Sequence, residues 1–184
     1  MAPLLRPAAP ADGPALQAIE RRAGEAFRTV GLELVADDEP PSLDVLTAYA
    51  AAGRAFVAVD HGGAPIGYVL LDVVDGCAHV EQVSVDPEHQ GEGVGRALLD
   101  RASSWAREAD RAAVTLTTFA DVPWNRPLYE HLGFRVLDEG EVGPGLEAVR
   151  AVESAHGLDP ARRVCMRLEV TATRTRTGRS PLHP

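Results

Sequence analysis

Lysine is absent from this sequence of 184 residues, and all 18 basic residues are arginine. A chain without lysine cannot use a Walker-type phosphate loop, a lysine Schiff base or a lysine general base. The net charge is −9. This charge argues against a nucleic-acid partner, because such binding needs a clustered basic surface. A cationic small molecule suits the chain better as a partner.

Cysteine is scarce, with only Cys77 and Cys165, and both lie in apolar, strand-like segments. A buried thiol is a commoner reason for such a position than a disulfide or a metal ligand. No apolar run approaches the roughly 18 residues that a membrane-spanning helix needs. Residues 1–14 also lack the apolar stretch of a secretory signal. We therefore expect a cytoplasmic protein with no membrane partner.

Length and composition predict one folded domain over residues 1–170, followed by a disordered tail over residues 171–184. Apolar periodicity and capping residues predict helices over residues 11–27, 42–51, 93–109, 123 or 124 to 132, and 143–155. Strands are expected over residues 54–59, 66–74, 77–85, 112–119, 134–137 and 164–170. The first three strands predict an antiparallel sheet. The strand over residues 112–119 follows a helix, which favours a parallel neighbour and a mixed sheet.

Glycines alternate in the loop between the strand at residues 77–85 and the following helix. Gly91, Gly93 and Gly95 would let the backbone approach a diphosphate, and the first amides of a helix attract anions. The dinucleotide fingerprint G-x-G-x-x-G fails, because Arg96 or Leu98 occupies its last position. Glycines that merely permit tight packing are the alternative. The loop alone leaves both interpretations open.

Two motifs resemble those of the GNAT superfamily of N-acetyltransferases. Residues 90–95, Gln-Gly-Glu-Gly-Val-Gly, are similar to its Q/R-x-x-G-x-G/A acyl-CoA pyrophosphate motif, and residues 128–134, Leu-Tyr-Glu-His-Leu-Gly-Phe, to its L-Y-x-x-x-G-F motif. Their order and separation fit, and the resemblance covers residues 54–137 well. It implies an α/β fold with a mixed, mostly antiparallel sheet of about seven strands flanked by helices. A splayed parallel strand pair would form the acyl-CoA site.

The resemblance also implies a cosubstrate, acetyl-CoA, and residues that hold it. The backbone of one strand would bind the pantetheine arm and the acyl carbonyl, and the loop amides would bind the diphosphate. Tyr129 matches the tyrosine that hydrogen-bonds the coenzyme sulfur and protonates the departing thiolate. The family often has Asn seven residues before this Tyr, where this chain has Val122. The implied cofactor-binding residues are Val83, Ser84, Val85, Gln90, Gly91, Glu92, Gly93, Val94, Gly95, Arg96, Asn125 and Tyr129.

Two ionisable residues on the strand before the loop are candidates for the catalytic base. An amine attacks only when it is unprotonated, so a proton acceptor assists the reaction. His79 and Glu81 are two residues apart and so point to one face of the strand. The family commonly places its base at these positions, and we favour Glu81, with His79 second. A solvated polar strand face is the alternative. A thioester is already activated, so neither cysteine need act.

The family resemblance places the acceptor cleft at residues 24–49 and 138–160. These segments carry many acids, namely Glu25, Glu33, Asp37, Asp38, Glu39, Asp138, Glu139, Glu141 and Glu147. A cationic amine would be attracted to them, although an acidic solvated surface explains them equally well. The predicted activity is acetyl transfer from acetyl-CoA to the primary amine of a small cationic acceptor. A non-catalytic acyl-CoA sensor is the alternative.

No metal is expected in this protein. A zinc site built from Cys77, His79 and His89 would have neither a familiar spacing nor a fourth ligand. Dimers are frequent among proteins that resemble this one, so a second copy of the chain is an expected partner.

Overall fold

A seven-stranded sheet runs through the computed structural model, which describes residues 3–170. The strands are β1 (Leu4–Pro7), β2 (Ala55–Val59), β3 (Pro65–Val74), β4 (Cys77–Val85), β5 (Ala113–Phe119), β6 (Arg135–Val136) and β7 (Arg163–Glu169). Their spatial order is β1-β2-β3-β4-β5-β7-β6. Within the described residues β4 and β5 are the one parallel pair, and the other neighbours are antiparallel. The predicted mixed sheet is confirmed.

Six α-helices flank the sheet within residues 3–170. They are α1 (Gly13–Gly24), α2 (Glu33–Ala36), α3 (Leu43–Ala51), α4 (Val94–Glu108), α5 (Arg126–His131) and α6 (Pro144–Ala155). Ser42 caps α3 as its sequence predicts, because its hydroxyl accepts a hydrogen bond from the Val45 amide at 3.3 Å. Residues 3–170 include no helix with the length and hydropathy of a membrane span.

Three features of the fold differ from the sequence prediction. The predicted helix over residues 11–27 ends early, and Glu25–Val30 forms a 3₁₀ turn that stops at Gly31 with φ +70°. The short helix α2 and the edge strand β1, of four residues each, were not predicted. The predicted tail over residues 171–184 lies outside the described residues.

The two faces of the sheet bury different side chains. Helix α4 covers one face, where Val94, Leu98 and Ala102 pack with the alternating strand residues Val80 and Leu116. On the other face, α1 and α3 cover β2 and β3, and the start of α6 packs near Cys165. The polar residues of β4 and β5 that face away from α4 therefore lie on the face that carries α1, α3 and α6.

An irregularity in β4 separates it from β5. Leu70 pairs with Gln82 and Leu71 with Val80, so Glu81 is an extra residue that forms a bulge. Pairing between β4 and β5 stops at Val80, although β4 continues to Val85 and β5 to Phe119. The sheet is thus open between these two strands, as the predicted splayed pair requires.

Candidate active site

The opening between β4 and β5 leaves backbone groups of β4 unpaired on one side. Val83, Ser84 and Val85 pair with β3 on their other side, opposite Val69, Tyr68 and Gly67. Ser84 is buried, while Val83 and Val85 pack against the α4 core. These three residues therefore offer main-chain donors and acceptors to a ligand that lies along the opening.

The glycine loop at the end of β4 has an open surface beside its backbone. Gly91 and Gly93 have φ of +81° and +83°, and a Cβ added at either would meet no atom within 4 Å. Helix α4 begins directly after Gly93, and its first turn contains no acidic residue. Free amides at a helix start beside open space fit a diphosphate, which is the group that the sequence predicts here.

Charged side chains on and beside the loop have partners on the loop, on α1 or on α4. Asp86 accepts a hydrogen bond from the Glu88 amide at 3.3 Å and pairs with Arg22 of α1. His89 Nδ1 lies 3.0 Å from the Glu92 carboxylate. Arg96 is exposed, and its Nε lies 3.9 Å from the Asp100 carboxylate, which is a long and weak contact. Its guanidinium can therefore reach a bound anion. Gln90 is also exposed, whereas the Val94 side chain is buried and offers only its amide.

Tyr129 lies on α5, on the α4 side of the sheet. Its ring contacts Phe134 edge to face with centroids 5.9 Å apart. Burial raises the pKa of its hydroxyl to about 12, despite the nearby Arg163 charge. The phenol is therefore protonated at neutral pH, as a proton donor must be. Asn125 starts the helix, and its carbonyl accepts from the Leu128 and Tyr129 amides at 3.0 and 3.2 Å.

The two base candidates line one cavity but differ in environment. His79 is 1% exposed, and its Nδ1 lies 3.0 Å from the Thr115 hydroxyl. Burial lowers its pKa, so the imidazole is uncharged at neutral pH. Glu81 projects from the bulge and is exposed. Desolvation by the surrounding protein raises its pKa, and the charges of Asp72 and Glu153 add to that effect.

The cavity beside these residues, which we call the β4–α6 cavity, has a volume of about 350 Å³. Its lining residues are His79, Glu81, Thr117, Gly145, Ala148, Val149, Val152 and Glu153. Sequence reasoning missed Thr117 and Glu153, because the order of strands that brings α6 over β4 is not visible in the chain. A solvated strand face, the alternative proposed for His79 and Glu81, does not describe the buried His79.

A second cavity of about 250 Å³ lies between two segments that the resemblance assigned to the acceptor cleft. It is lined by Gly31, Leu32, Glu33, Leu34, Val35, Phe119, Gly157, Leu158, Asp159 and Arg162. Most acids of those segments lie elsewhere, and several are neutralised. Glu25 and Asp37 pair with Arg28, Glu39 pairs with Arg21, and Glu141 pairs with Arg135.

Both cysteines are buried and free, as their apolar surroundings predict. Cys77 accepts a hydrogen bond from Arg167 at 3.2 Å, and Cys165 packs with Leu137 and Leu146. Cys77, His79 and His89 do not come together, and residues 3–170 contain no group of three or more His, Cys, Asp or Glu arranged to hold a metal ion.

Two proteins of similar sequence are both N-acetyltransferases by name. An uncharacterized N-acetyltransferase of Methanocaldococcus jannaschii is 29% identical over 97 residues, which is 49% of this chain and 42% of that protein. A peptidyl-lysine N-acetyltransferase of Escherichia coli is 30% identical over 101 residues, which is 54% of this chain and 61% of that protein. The matched part thus spans less than two thirds of either relative.

Solved structures share the fold. An acetyltransferase of the GNAT family from Staphylococcus aureus superposes with a TM-score of 0.71 at 14% identity, covering 92% of this chain and 100% of the other. The PaiA N-acetyltransferase of Thermoplasma acidophilum, solved with coenzyme A, gives 0.69 at 15% identity, covering 92% and 99%.

The sequence profile of the acetyltransferase (GNAT) family matches residues 16–134. That range contains most of α1, the β4 bulge, the glycine loop and Tyr129. The profile covers more than half of the 184 residues. The chain belongs to the GNAT acetyltransferase family.

Proposed function

We propose that this protein transfers an acetyl group from acetyl-CoA to the primary amine of a small cationic acceptor. The separation of β4 from β5 after Val80 carries the proposal. Three further observations support it: the open surface beside Gly91 and Gly93, the protonated phenol of Tyr129 and the raised pKa of Glu81. These parts suit an acyl transfer that needs no covalent enzyme intermediate.

The cosubstrate would be held mainly by main-chain atoms. The unpaired side of Val83, Ser84 and Val85 is suited to the amide-rich pantetheine arm. The amides of residues 91–96, at the start of α4, are suited to the diphosphate, and Arg96 adds a positive charge. When bound, acetyl-CoA supplies a thioester that amines attack directly.

Two side chains, Glu81 and Tyr129, would carry the proton transfers of this reaction. The amine nitrogen forms a bond to the acyl carbon as the bond from that carbon to sulfur breaks. Glu81 accepts the proton that the amine loses, and its raised pKa makes it a better acceptor than a free carboxylate. Tyr129 donates its proton to the sulfur. His79, uncharged and buried, is the second candidate for the base.

Acceptors among relatives vary. One relative is a peptidyl-lysine N-acetyltransferase, and one structural neighbour is a ribosomal-protein-S18-alanine N-acetyltransferase. The small acceptor, the cytoplasmic location and a homodimer stay predictions for this chain. So does the assignment of residues 1–170 to one domain.

Isothermal titration with acetyl-CoA, followed by a thiol-release assay on a panel of primary amines, tests the proposal. We expect micromolar binding and turnover. Binding without turnover of any amine would favour the acyl-CoA sensor. No binding of acetyl-CoA would overturn the proposal.

A further inference from the structure

The β4–α6 cavity contains two carboxylates, and one of them is already neutralised. Arg163 donates to both oxygens of Glu153, from Nε at 3.1 Å and from Nη2 at 2.6 Å. The side chains of this pair are only 10% and 16% exposed. Thr117 also donates its hydroxyl to Glu153. Three hydrogen bonds thus occupy most of the acceptor sites of Glu153, and the Arg163 charge compensates its own, so Glu153 offers little attraction to a cationic ligand.

The guanidinium of Arg163 is likewise engaged in contacts with neighbouring protein groups. Besides Glu153, its Nη2 donates to the Thr117 hydroxyl at 3.0 Å, and its guanidinium lies 4.6 Å from the centre of the Phe119 ring. Among residues 3–170, the one basic side chain that lines the cavity is the uncharged His79. A substrate carboxylate would find no positive partner there.

Glu81 is the remaining charge. It forms no ion pair with any residue between 3 and 170, whereas the neighbouring Asp72 is bound by Arg54 and by the Tyr49 hydroxyl at 2.6 Å. When ionised, Glu81 thus gives the cavity one uncompensated negative charge. One ammonium group matches that charge, and a second would have no partner.

The rest of the wall is apolar and comes from one helix face. The four residues follow the i, i+3, i+4, i+7 spacing along α6, which places them on one side of the helix: Gly145, Ala148, Val149 and Val152. Val152 is 58% exposed, so its side chain is available to a ligand. This wall can pack against hydrocarbon but cannot hydrogen-bond a polar group.

We propose that the acceptor is a monoamine: a single amine on an apolar arm, with neither a carboxylate nor a second cation nearby. The inference rests on the proposed acetyl transfer and narrows its substrate class. A free alkylamine or arylalkylamine has this chemistry, and so does the side chain of lysine within a peptide. Polyamines and α-amino acids do not.

Matched amine pairs test the class with the wild-type protein and acetyl-CoA. Pentylamine against cadaverine differs by a second ammonium, and phenethylamine against phenylalanine differs by a carboxylate. We expect kcat/KM to be about tenfold or more higher for the monoamine of each pair, since an unpaired charge beside an apolar wall is unfavourable. A preference for cadaverine or phenylalanine would overturn the inference while leaving acetyl transfer intact.

A lysine-containing peptide with blocked termini forms a third arm. If the kcat/KM of the peptide exceeds that of pentylamine, the monoamine inference stands but the acceptor is a protein, which contradicts the small acceptor proposed above. If the kcat/KM of pentylamine is higher, the acceptor is a free amine. No turnover of any amine would instead defeat the proposed transfer itself.

A charge placed on the wall gives an independent test. Val152→Glu should raise the kcat/KM ratio of cadaverine to pentylamine about tenfold, because the new carboxylate pairs with the second ammonium. Val73→Glu is the matched control: Val73 is also exposed but shares the sheet face of Leu71 and Ala78, away from the cavity. An unchanged ratio in Val152→Glu, with acetyl-CoA binding intact, would contradict the placement of the acceptor arm along α6.

Discussion

The carboxylate of Asp75 accepts a hydrogen bond from the amide of Gly145 at 2.8 Å. Its second oxygen accepts from the Leu146 amide at 3.0 Å. Asp75 lies in the turn between β3 and β4, and the two amides belong to the first turn of α6. A carboxylate at this position satisfies free amides and complements the helix dipole. The turn therefore holds α6, the helix that forms one wall of the β4–α6 cavity, in place.

Asp75→Asn should loosen this helix and raise the KM for the amine. The change removes the charge and one acceptor, and we expect a loss of about 1 kcal/mol in the free energy of unfolding. Asp110→Asn is the matched control, because Asp110 is the other non-glycine residue of positive φ in the described chain and follows α4 instead. Urea denaturation and amine KM measure the two effects. An equal response of both variants would contradict the role of Asp75.

Glu81→Gln should lower kcat/KM for the amine by roughly 10²-fold, the usual contribution of a general base. Desolvation raises the pKa of Glu81 above its ordinary value. Wild-type kcat/KM should therefore rise with pH as Glu81 loses its proton, and the variant should lack this step. His79→Gln is the comparison variant. A larger loss there, with the step still present in Glu81→Gln, would make His79 the base.

Tyr129→Phe should lower kcat by about 10- to 100-fold and leave the Kd for acetyl-CoA nearly unchanged. The hydroxyl is removed while the ring contact with Phe134 stays. Because burial raises the pKa of Tyr129 to about 12, the wild-type enzyme should not lose this proton donor between pH 7 and 10. Steady-state kinetics and titration calorimetry separate the two quantities. A weakened Kd with unchanged kcat would show a binding role only.

Gly93→Ala should weaken acetyl-CoA binding. Its φ of +83° costs an alanine roughly 1 kcal/mol of backbone strain, and relaxation would turn the loop amides away from the diphosphate. Gly53→Ala introduces the same strain at φ +67° in the connection before β2, far along the chain from the loop. Both variants should lose similar stability in thermal unfolding. Only Gly93→Ala should raise the Kd for acetyl-CoA, and an equal effect of Gly53→Ala would oppose the loop's role.

Loss of the Glu20 proton should lower the free energy of unfolding as pH rises. Its carboxyl accepts a hydrogen bond from Tyr68, and burial raises the pKa of Glu20 to about 7. The folded state thus holds a proton that the unfolded chain releases near pH 4.5, so stability falls between pH 4.5 and 7 and then levels off. Glu20→Gln should be more stable than wild type at pH 8, by up to about 3 kcal/mol. Denaturant unfolding at pH 5 and pH 8 measures this, and a pH-independent difference would exclude titration of Glu20.

The sequence alone determined the features that depend on neighbouring residues. The bounds of β4 agree with prediction, because alternation and the flanking turns define them locally. The glycine loop, the start of α4 and the position of Tyr129 on a short helix follow from motifs within 45 residues of chain. Local propensity and turn chemistry suffice for such features.

Only the tertiary structure decided how the site is assembled. The extra residue at Glu81 depends on the register of β4 against β3, and the opening beyond Val80 depends on where β5 stops pairing. The β4–α6 cavity needs β7 to lie between β5 and β6, so that α6 crosses the sheet and Glu153 meets Arg163 and Thr117. These contacts join residues far apart in the chain, and packing and strand register, which the periodicity of one segment does not specify, determine them.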